Sequence, residues 1–231
     1  MGGGRYWSRL EGLMGKGIDS EYDCSHYAHQ ISEKYDFVGR YYRMPAPYSS
    51  YPTLTRAEAH ALSAAGLSIV SLWEFISGSR GRIESLNYKA GRDEGTRAYN
   101  QALAIPQPSG TPIYFAVDEG YDPARKDYGG PIDDYFRGVI DGFAKCAGKG
   151  NQPLYQVGVY GPGAVCQFLK DNNRTQYSWL ANASKWPGYG FGGWQVKQAF
   201  RDNSIPLGND MDECKAGAGL WQTQTTPVNI V

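Results

Sequence analysis

The 231-residue chain lacks the long apolar run and the charge imbalance that mark several large classes of protein. No stretch approaches the roughly 20 apolar residues that a membrane-spanning helix needs, so we expect no membrane span. Lysine plus arginine total 23, as do aspartate plus glutamate, which leaves no basic excess for nucleic acid. The N-terminal sequence MGGGRYWSRLEGLMGKG has no apolar core of a cleavable secretory signal. We therefore expect a globular domain with neither nucleic acid nor a bilayer as partner.

Several motifs that carry nucleotide, metal or serine chemistry are missing too. No GxGxxG follows the first apolar run, and neither GxxxxGK[ST] nor GxSxG occurs. The four cysteines form no CxxC pair, which argues against a zinc site. We therefore predict no cofactor and no metal.

Short runs rich in Val, Ile, Tyr and Phe alternate with longer segments of helical periodicity. Strands are predicted at 16–21, 37–42, 67–75, 112–120, 155–161 and 177–183, with closing strands in GGWQVKQAF and GNDMDEC. Helices are predicted near 23–34, 54–66, 88–104 and 131–147, and in AVCQFLKD. This alternation implies right-handed crossovers and a parallel sheet. The alternation predicts an α/β fold, a (β/α)8 TIM-like barrel whose final units could be irregular. The barrel is predicted over residues 16–231, after an N-terminal extension at residues 1–15. A doubly wound open sheet is the alternative, and it loses support without a nucleotide motif.

Acidic residues collect at the ends of these predicted strands. They are Asp19, Glu74, Asp118, Glu119, Asp210 and Asp212. In a parallel barrel such ends meet on one rim, where crowding and desolvation raise carboxyl pKa values. A protonated carboxyl beside an ionised one suits glycoside hydrolysis. Taken singly, each acid would serve equally well as a helix cap or as a partner of loop amides.

Five segments, in order, resemble one known family. They are GIDSEYDC, FVGRYY, LTRAEAHALSAAGLSIVSLWEF, GTPIYFAVDEG and YQVGVYG, and the resemblance extends from about Gly17 to about Cys214. Together they are similar to the glycoside-hydrolase-like domain catalogued as domain of unknown function 1906, which is related in fold to family 25 lysozymes. The resemblance implies a TIM-like barrel with an acidic pocket and action on peptidoglycan glycan strands. By the family pattern, Asp19, Asp118 and Asp210 match three acids of the lysozyme site.

The chain departs from the lysozyme pattern at the second acid of the fourth strand. The lysozymes have D-x-E, whereas here Glu119 directly follows Asp118. In a regular strand these two side chains point to opposite faces. Glu119 would reach the pocket if the strand ends or bulges at Gly120. Glu74 is the alternative general acid, and the sequence leaves this choice open.

Aromatic residues make up 14% of the chain and would supply faces on which sugar rings stack. We predict Tyr42, Tyr160 and Trp194 as a substrate wall, with Asp212 as the polar residue that follows Asp210 in the lysozyme pattern. Ordinary core packing is the competing interpretation for each aromatic residue.

The cysteines suggest a pairing if the barrel closes. The first strand then neighbours the last, which brings Cys24 near Cys214, and adjacent helices carry Cys146 and Cys166. We predict these two disulfides, which would indicate a secreted or periplasmic protein despite the absence of a visible cleavable signal.

The sequence thus predicts a monomeric, lysozyme-like glycoside hydrolase that acts on bacterial peptidoglycan through a carboxylate acid–base mechanism. A barrel that binds glycan, or another partner, without cleaving it is the alternative from a different class. Hydrolysis of another polysaccharide is the third possibility.

Overall fold

The computed structural model describes residues 13–44, 51–74, 83–202, 204–207 and 209–223, and their eight strands close into a barrel in chain order. The strands are β1 (Leu13–Ser20), β2 (Phe37–Tyr42), β3 (Ser68–Trp73), β4 (Pro112–Ala116), β5 (Gln156–Gly161), β6 (Tyr177–Leu180), β7 (Val196–Asp202) and β8 (Asn209–Lys215). The α-helices are α1 (Ala28–Ser32), α2 (Arg56–Ala64), α3 (Tyr88–Ala104), α4 (Lys126–Ala147) and α5 (Gly163–Asp171). The predicted TIM-like barrel is confirmed. β1 begins shortly before the predicted domain boundary, and residues 1–12 of the predicted extension lie outside the described residues.

Two parts of the barrel wall are built differently. Each connection from β1 through β6 contains an α-helix, and neighbouring strands here are parallel. We call this part the helix-covered arc. The connection over residues 181–195 has no helix, and β8 runs antiparallel to both β7 and β1. β7 and β8 form the closing arc, which corresponds to the irregular final units that the sequence allowed.

Local sequence signals explain the helices that back the strands. The Thr55 side chain accepts a hydrogen bond from the Glu58 backbone N–H at 3.1 Å, which caps α2, and Gly66 with φ +86° ends that segment. On α4 an apolar stripe of three- and four-residue spacing is buried against the sheet. Its members include Ile132, Tyr135, Phe136, Val139 and Phe143.

Close helix contact supports the strands that lead into the acidic residues. A Cβ atom on Gly91 of α3 would lie 1.9 Å from the Tyr135 carbonyl oxygen, and one on Gly138 of α4 would lie 2.1 Å from that of Tyr88. Only glycine permits this approach. Between the helices, Glu94 accepts hydrogen bonds from Tyr135 and from the Trp73 indole N–H at the end of β3.

Strand alternation divides the apolar residues into two cores. One fills the barrel and contains Phe37, Val70, Tyr114, Trp179, Val196 and Cys214. The other lies between the sheet and the helices and contains Val38, Ile69, Trp73, Phe115 and Phe136. The chain after β8 closes the end of the barrel where the parallel strands start, with the Tyr114 hydroxyl donating to the Ala218 carbonyl at 2.9 Å. A shift of one residue along any strand therefore decides which core a side chain enters.

The four cysteines are buried and free, so the predicted disulfides are wrong. β8 runs antiparallel, which places Cys214 beside Gly15 near the start of β1, whereas Cys24 follows the end of that strand. Cys146 lies in the last turn of α4 and Cys166 in the first turn of α5. Because each helix runs back along the barrel, these two turns lie at opposite rims. The predicted pairings have the right strands and helices as neighbours, but they do not account for the direction in which each strand or helix runs.

Candidate active site

A cavity of about 200 Å³ opens at the rim where the parallel strands end. It is lined by Asp19, Glu21, Tyr41, Leu72, Glu74, Asp118, Tyr160, Gln198, Arg201 and Asp210. Four of the five acids predicted as catalytic therefore share one cavity. The rim position agrees with the general placement of active sites in such barrels.

A larger groove of about 470 Å³ lies near the opposite rim. α4 and the starts of β5 and β6 form its walls, and its lining contains tyrosines and aliphatic residues but no carboxylate. Because the acid–base groups gather at the smaller cavity, that cavity is the candidate active site.

Asp19 is the most enclosed acid that lines the cavity. It lies near the end of β1, directly opposite Asp210 in the β1–β8 register, and is 5% exposed. The Tyr41 hydroxyl donates to its Oδ1 at 2.6 Å. The Gln198 amide lies 3.4 Å from its Oδ2 and donates to Asp210 Oδ2 at 3.1 Å. Burial raises the pKa of Asp19 to about 6, with Asp210 adding to the rise and Tyr41 opposing it.

Asp212 lies one step deeper in the barrel and does not line the cavity. It is fully buried opposite Gly17, and the Trp179 indole N–H donates to its Oδ1 at 3.0 Å. Burial, reinforced by the adjacent Asp19 carboxylate, raises the pKa of Asp212 well above its ordinary value. Asp212 and Asp19 thus form a buried carboxyl pair in which burial favours the protonated form.

Glu74 follows β3 and forms the opposite side of the cavity. The Arg43 guanidinium, itself buried, lies with Nη2 3.2 Å from Glu74 Oε2 and 2.9 Å from Glu21 Oε1. Burial raises the pKa of Glu74 to about 8, although Arg43 opposes the rise and Asp118 adds to it. At neutral pH Glu74 therefore holds a proton.

The two acids after β4 separate as strand alternation requires. Val117 packs into the outer core, so Asp118 faces the cavity, and Glu119 is exposed without lining it. Asp118 is open to solvent at the mouth, yet partial desolvation raises its pKa, with Glu119 and Glu21 contributing. The chain at Gly120 therefore does not turn Glu119 into the cavity.

Of the predicted aromatic wall, the structure brings only Tyr160 to the cavity. Tyr42 points outward, where its hydroxyl donates to Gln107 Oε1 at 2.7 Å within the outer core. Trp194 precedes β7 at the opposite rim, with the Lys215 ammonium 3.8 Å from its ring centroid. The predicted wall therefore does not assemble around one cavity.

Five residues that line the cavity were not predicted from the sequence. They are Glu21, Tyr41, Leu72, Gln198 and Arg201. A signal for Tyr41 was present, because the neighbouring Arg40 sits in a buried strand and needs a partner. Its partner is Glu58 on α2, with both side chains fully buried and Nε 2.5 Å from Oε1. A strand residue that faces a helix forces its neighbour into the barrel.

Gln198 joins the two sides of the site. Its amide carbonyl accepts a hydrogen bond from the Tyr160 hydroxyl at 3.1 Å, and its NH₂ group donates one to Asp210.

Among the described residues no group of three or more His, Cys, Asp or Glu has the geometry to hold a metal ion. In the same part of the chain, no helix is long and apolar enough to cross a bilayer. The carboxyl groups that line the cavity are suited to proton transfer.

Comparisons with known proteins show which family the chain belongs to. Uncharacterized protein YbfG of Bacillus subtilis (strain 168) is 41% identical over 98 residues, which span 40% of this chain and 13% of that protein. The crystal structure of the Tat-secreted protein Rv2525c from Mycobacterium tuberculosis aligns with a TM-score of 0.72 and 21% identity, covering 90% of this chain and 98% of that one. The modular autolysin LytC of Streptococcus pneumoniae, solved with a synthetic peptidoglycan ligand, aligns with a TM-score of 0.51 and 13% identity over 86% of this chain and 46% of that one. The model of the Rv2525c-like, glycoside hydrolase-like domain matches residues 29–226. The chain therefore belongs to the Rv2525c-like, glycoside hydrolase-like domain family.

Proposed function

We propose that this chain is a lysozyme-like glycoside hydrolase that cleaves the glycan strands of bacterial peptidoglycan. The observation that carries the proposal is the meeting of five carboxyl groups in one cavity, with burial raising the pKa of Glu74 above that of Asp19. Glycoside hydrolysis uses a protonated carboxyl to release the leaving oxygen and an ionised one on the other side of the bond. The likeness of fold to an autolysin solved with a peptidoglycan ligand supports the substrate class.

The roles follow from protonation and access. Glu74, protonated at neutral pH, donates a proton to the leaving oxygen. Asp118 lies at the open mouth, where it stabilises positive charge on the sugar or activates water. Asp19 and Asp210, held by Tyr41 and Gln198, orient the sugar ring.

Purified peptidoglycan provides the test. The protein should release soluble muropeptides and new reducing ends, and Asp118→Asn should lower that rate by about 100-fold or more, since a positioned acid or base contributes roughly 10²–10⁴-fold. Asp134→Asn makes the same chemical change on the exposed face of α4 and should retain the wild-type rate. Mass analysis of the products identifies the cleaved bond. Equal release by wild type and Asp118→Asn contradicts the assignment.

A non-catalytic glycan-binding barrel is the second candidate, and one contact favours it. The Arg43 guanidinium lies 3.2 Å from Glu74 Oε2 and opposes the rise in the pKa of Glu74, which favours the carboxylate form that cannot donate a proton. Co-sedimentation with peptidoglycan without any release of reducing ends would support the binder. A panel of other polysaccharides separates the third possibility, a hydrolase with a different substrate.

A peptidoglycan substrate places the site of action outside the cytoplasmic membrane. We therefore propose that the protein acts as a secreted or periplasmic monomer, in keeping with the Tat-secreted Rv2525c. The cysteines do not contribute to this argument, because all four are free.

A further inference from the structure

β7 contains an irregularity beside the cavity. In the β7–β8 register Gln198 lies opposite Asp212, and the next cavity pair is Arg201 with Asp210. Two residues of β7 therefore stand against one of β8, which is a β-bulge. Regular alternation from Gln198 would direct position 200 toward the cavity, and the extra residue gives that place to position 201.

The bulge exchanges an aromatic side chain for a cation. Phe200 remains 81% exposed on the outside of the barrel, an unfavourable position for a large apolar side chain. Arg201 lines the cavity with its side chain open to solvent. It is the single lysine or arginine among the ten described residues of the lining, five of which are acids. Bulges beside active sites commonly re-aim a side chain in this way.

We propose that Arg201 is a specificity-determining residue that binds a carboxylate of the peptidoglycan strand, so that the cavity prefers strands bearing a free carboxylate to neutral ones. The proposal rests on the proposed function and names the chemistry of its substrate. A guanidinium forms two parallel hydrogen bonds with a carboxylate. Without a cation, an acid-lined cavity would repel an anionic sugar. A neutral sugar offers Arg201 only hydroxyl oxygens, which bind a guanidinium less strongly than a carboxylate does.

The carboxylate has two sources in peptidoglycan. One is the lactyl ether on the sugar itself, which is free where the stem peptide has been removed, and the other is the stem peptide. Three substrates separate them. They are glycan strands stripped of stem peptides, the same strands with their carboxylates capped as methylamides, and intact strands that keep their stems.

The experiment measures kcat and KM for reducing-end release by wild type, Arg201→Gln, Arg201→Lys and Arg97→Gln. Arg97 lies exposed on α3 outside the cavity and controls for the loss of one arginine charge. Arg201→Gln should raise KM by roughly 10- to 100-fold on strands with free carboxylates, as expected for the loss of a hydrogen bond to a charged group, with kcat little changed. On capped strands it should match wild type. Arg201→Lys should recover part of the loss, and Arg97→Gln should behave as wild type throughout.

Each outcome decides the proposal. A KM effect confined to strands that carry stems supports carboxylate recognition and assigns the carboxylate to the peptide. An equal effect on capped and uncapped strands overturns the proposal, as does no effect on any substrate. If wild type cleaves nothing, the hydrolase assignment fails, and equilibrium binding to capped and uncapped stem-free strands then tests Arg201 alone. Equal affinity of wild type for both would overturn the inference.

Discussion

The helix-covered arc and the closing arc share one cavity but differ in how they hold their side chains. In the helix-covered arc, buried outward side chains pack against helices, as Phe115 packs against Tyr135 and Phe143 of α4. Among the described residues no helix covers the outer face of β7, and Phe200 is largely exposed there. The first arc is a packed wall, whereas the second is a thin hairpin that completes it.

This difference separates two tasks within one site. The helix-covered arc supplies Asp19 and Glu74, whose pKa values burial raises most among the acids of the lining. The closing arc supplies Gln198, Arg201 and Asp210, which hydrogen-bond and carry charge. Deep packing is what perturbs a carboxyl, and an uncovered hairpin tolerates the bulge that re-aims Arg201. Under the proposed function, proton transfer would fall to the rigid helix-covered arc and substrate choice to the closing arc.

The largest expected effect tests the packing of the helix-covered arc. Phe115→Ala removes a fully buried ring that contacts Trp73, Tyr135 and Phe143. We expect a loss of about 3–5 kcal/mol in the free energy of unfolding, from lost burial and the cavity left behind. Urea denaturation followed by circular dichroism measures it. A loss below about 1 kcal/mol would mean that this arc is not the rigid one.

The next effect concerns pH. Glu74 binds its proton more tightly in the folded state, since burial raises its pKa from 4.5 to about 8. Stability from this group is therefore fully present below about pH 4.5 and is lost as the pH rises toward 8. Asp19 acts in the same direction only up to about pH 6, which leaves pH 6–8 as the diagnostic window.

Glu74→Gln should flatten that window. We expect the wild type to lose about 1–2 kcal/mol of unfolding free energy between pH 6 and 8, and the variant to lose clearly less. Urea midpoints at half-unit steps of pH measure the slope. Parallel slopes for the two proteins would show that Glu74 is not the buried, protonated acid of the rigid arc.

The smallest effect tests the closing arc. Phe200→Ala changes an aromatic side chain that is 81% exposed, so the free energy of unfolding should move by less than about 0.5 kcal/mol. The same urea titration compares it directly with Phe115→Ala, the identical substitution on the other arc. A cost near that of Phe115→Ala would erase the distinction between the two arcs.

The barrel could be predicted from the sequence because short apolar runs alternate clearly with segments in which apolar residues recur at helical spacing. The apolar strands and the stripe on α4 appear where expected, and the strand-end acids meet because parallel strands end at one rim. Side-chain direction was harder to predict. All six residues of FVGRYY are buried, so Arg40, which needs a partner on a helix, is the one sign in this segment that Tyr41 rather than Tyr42 faces the cavity.

The closing arc resisted prediction for a different reason. The direction of β8 and the bulge in β7 depend on pairing between strands, which no local period encodes. The disulfide prediction failed on the first point, since Cys214 lies far along the barrel from Cys24. The bulge in β7 explains why Arg201 was not predicted, because in a regular strand Phe200 would face the cavity instead.

The pairing of the first strand with the last has a consequence for biosynthesis. Asp19 lies on β1 and its partner Asp210 on β8, so the two meet only after all the strands between them have been synthesised. Such distant contacts close slowly. A nascent chain that has not yet reached β8 therefore lacks the assembled cavity.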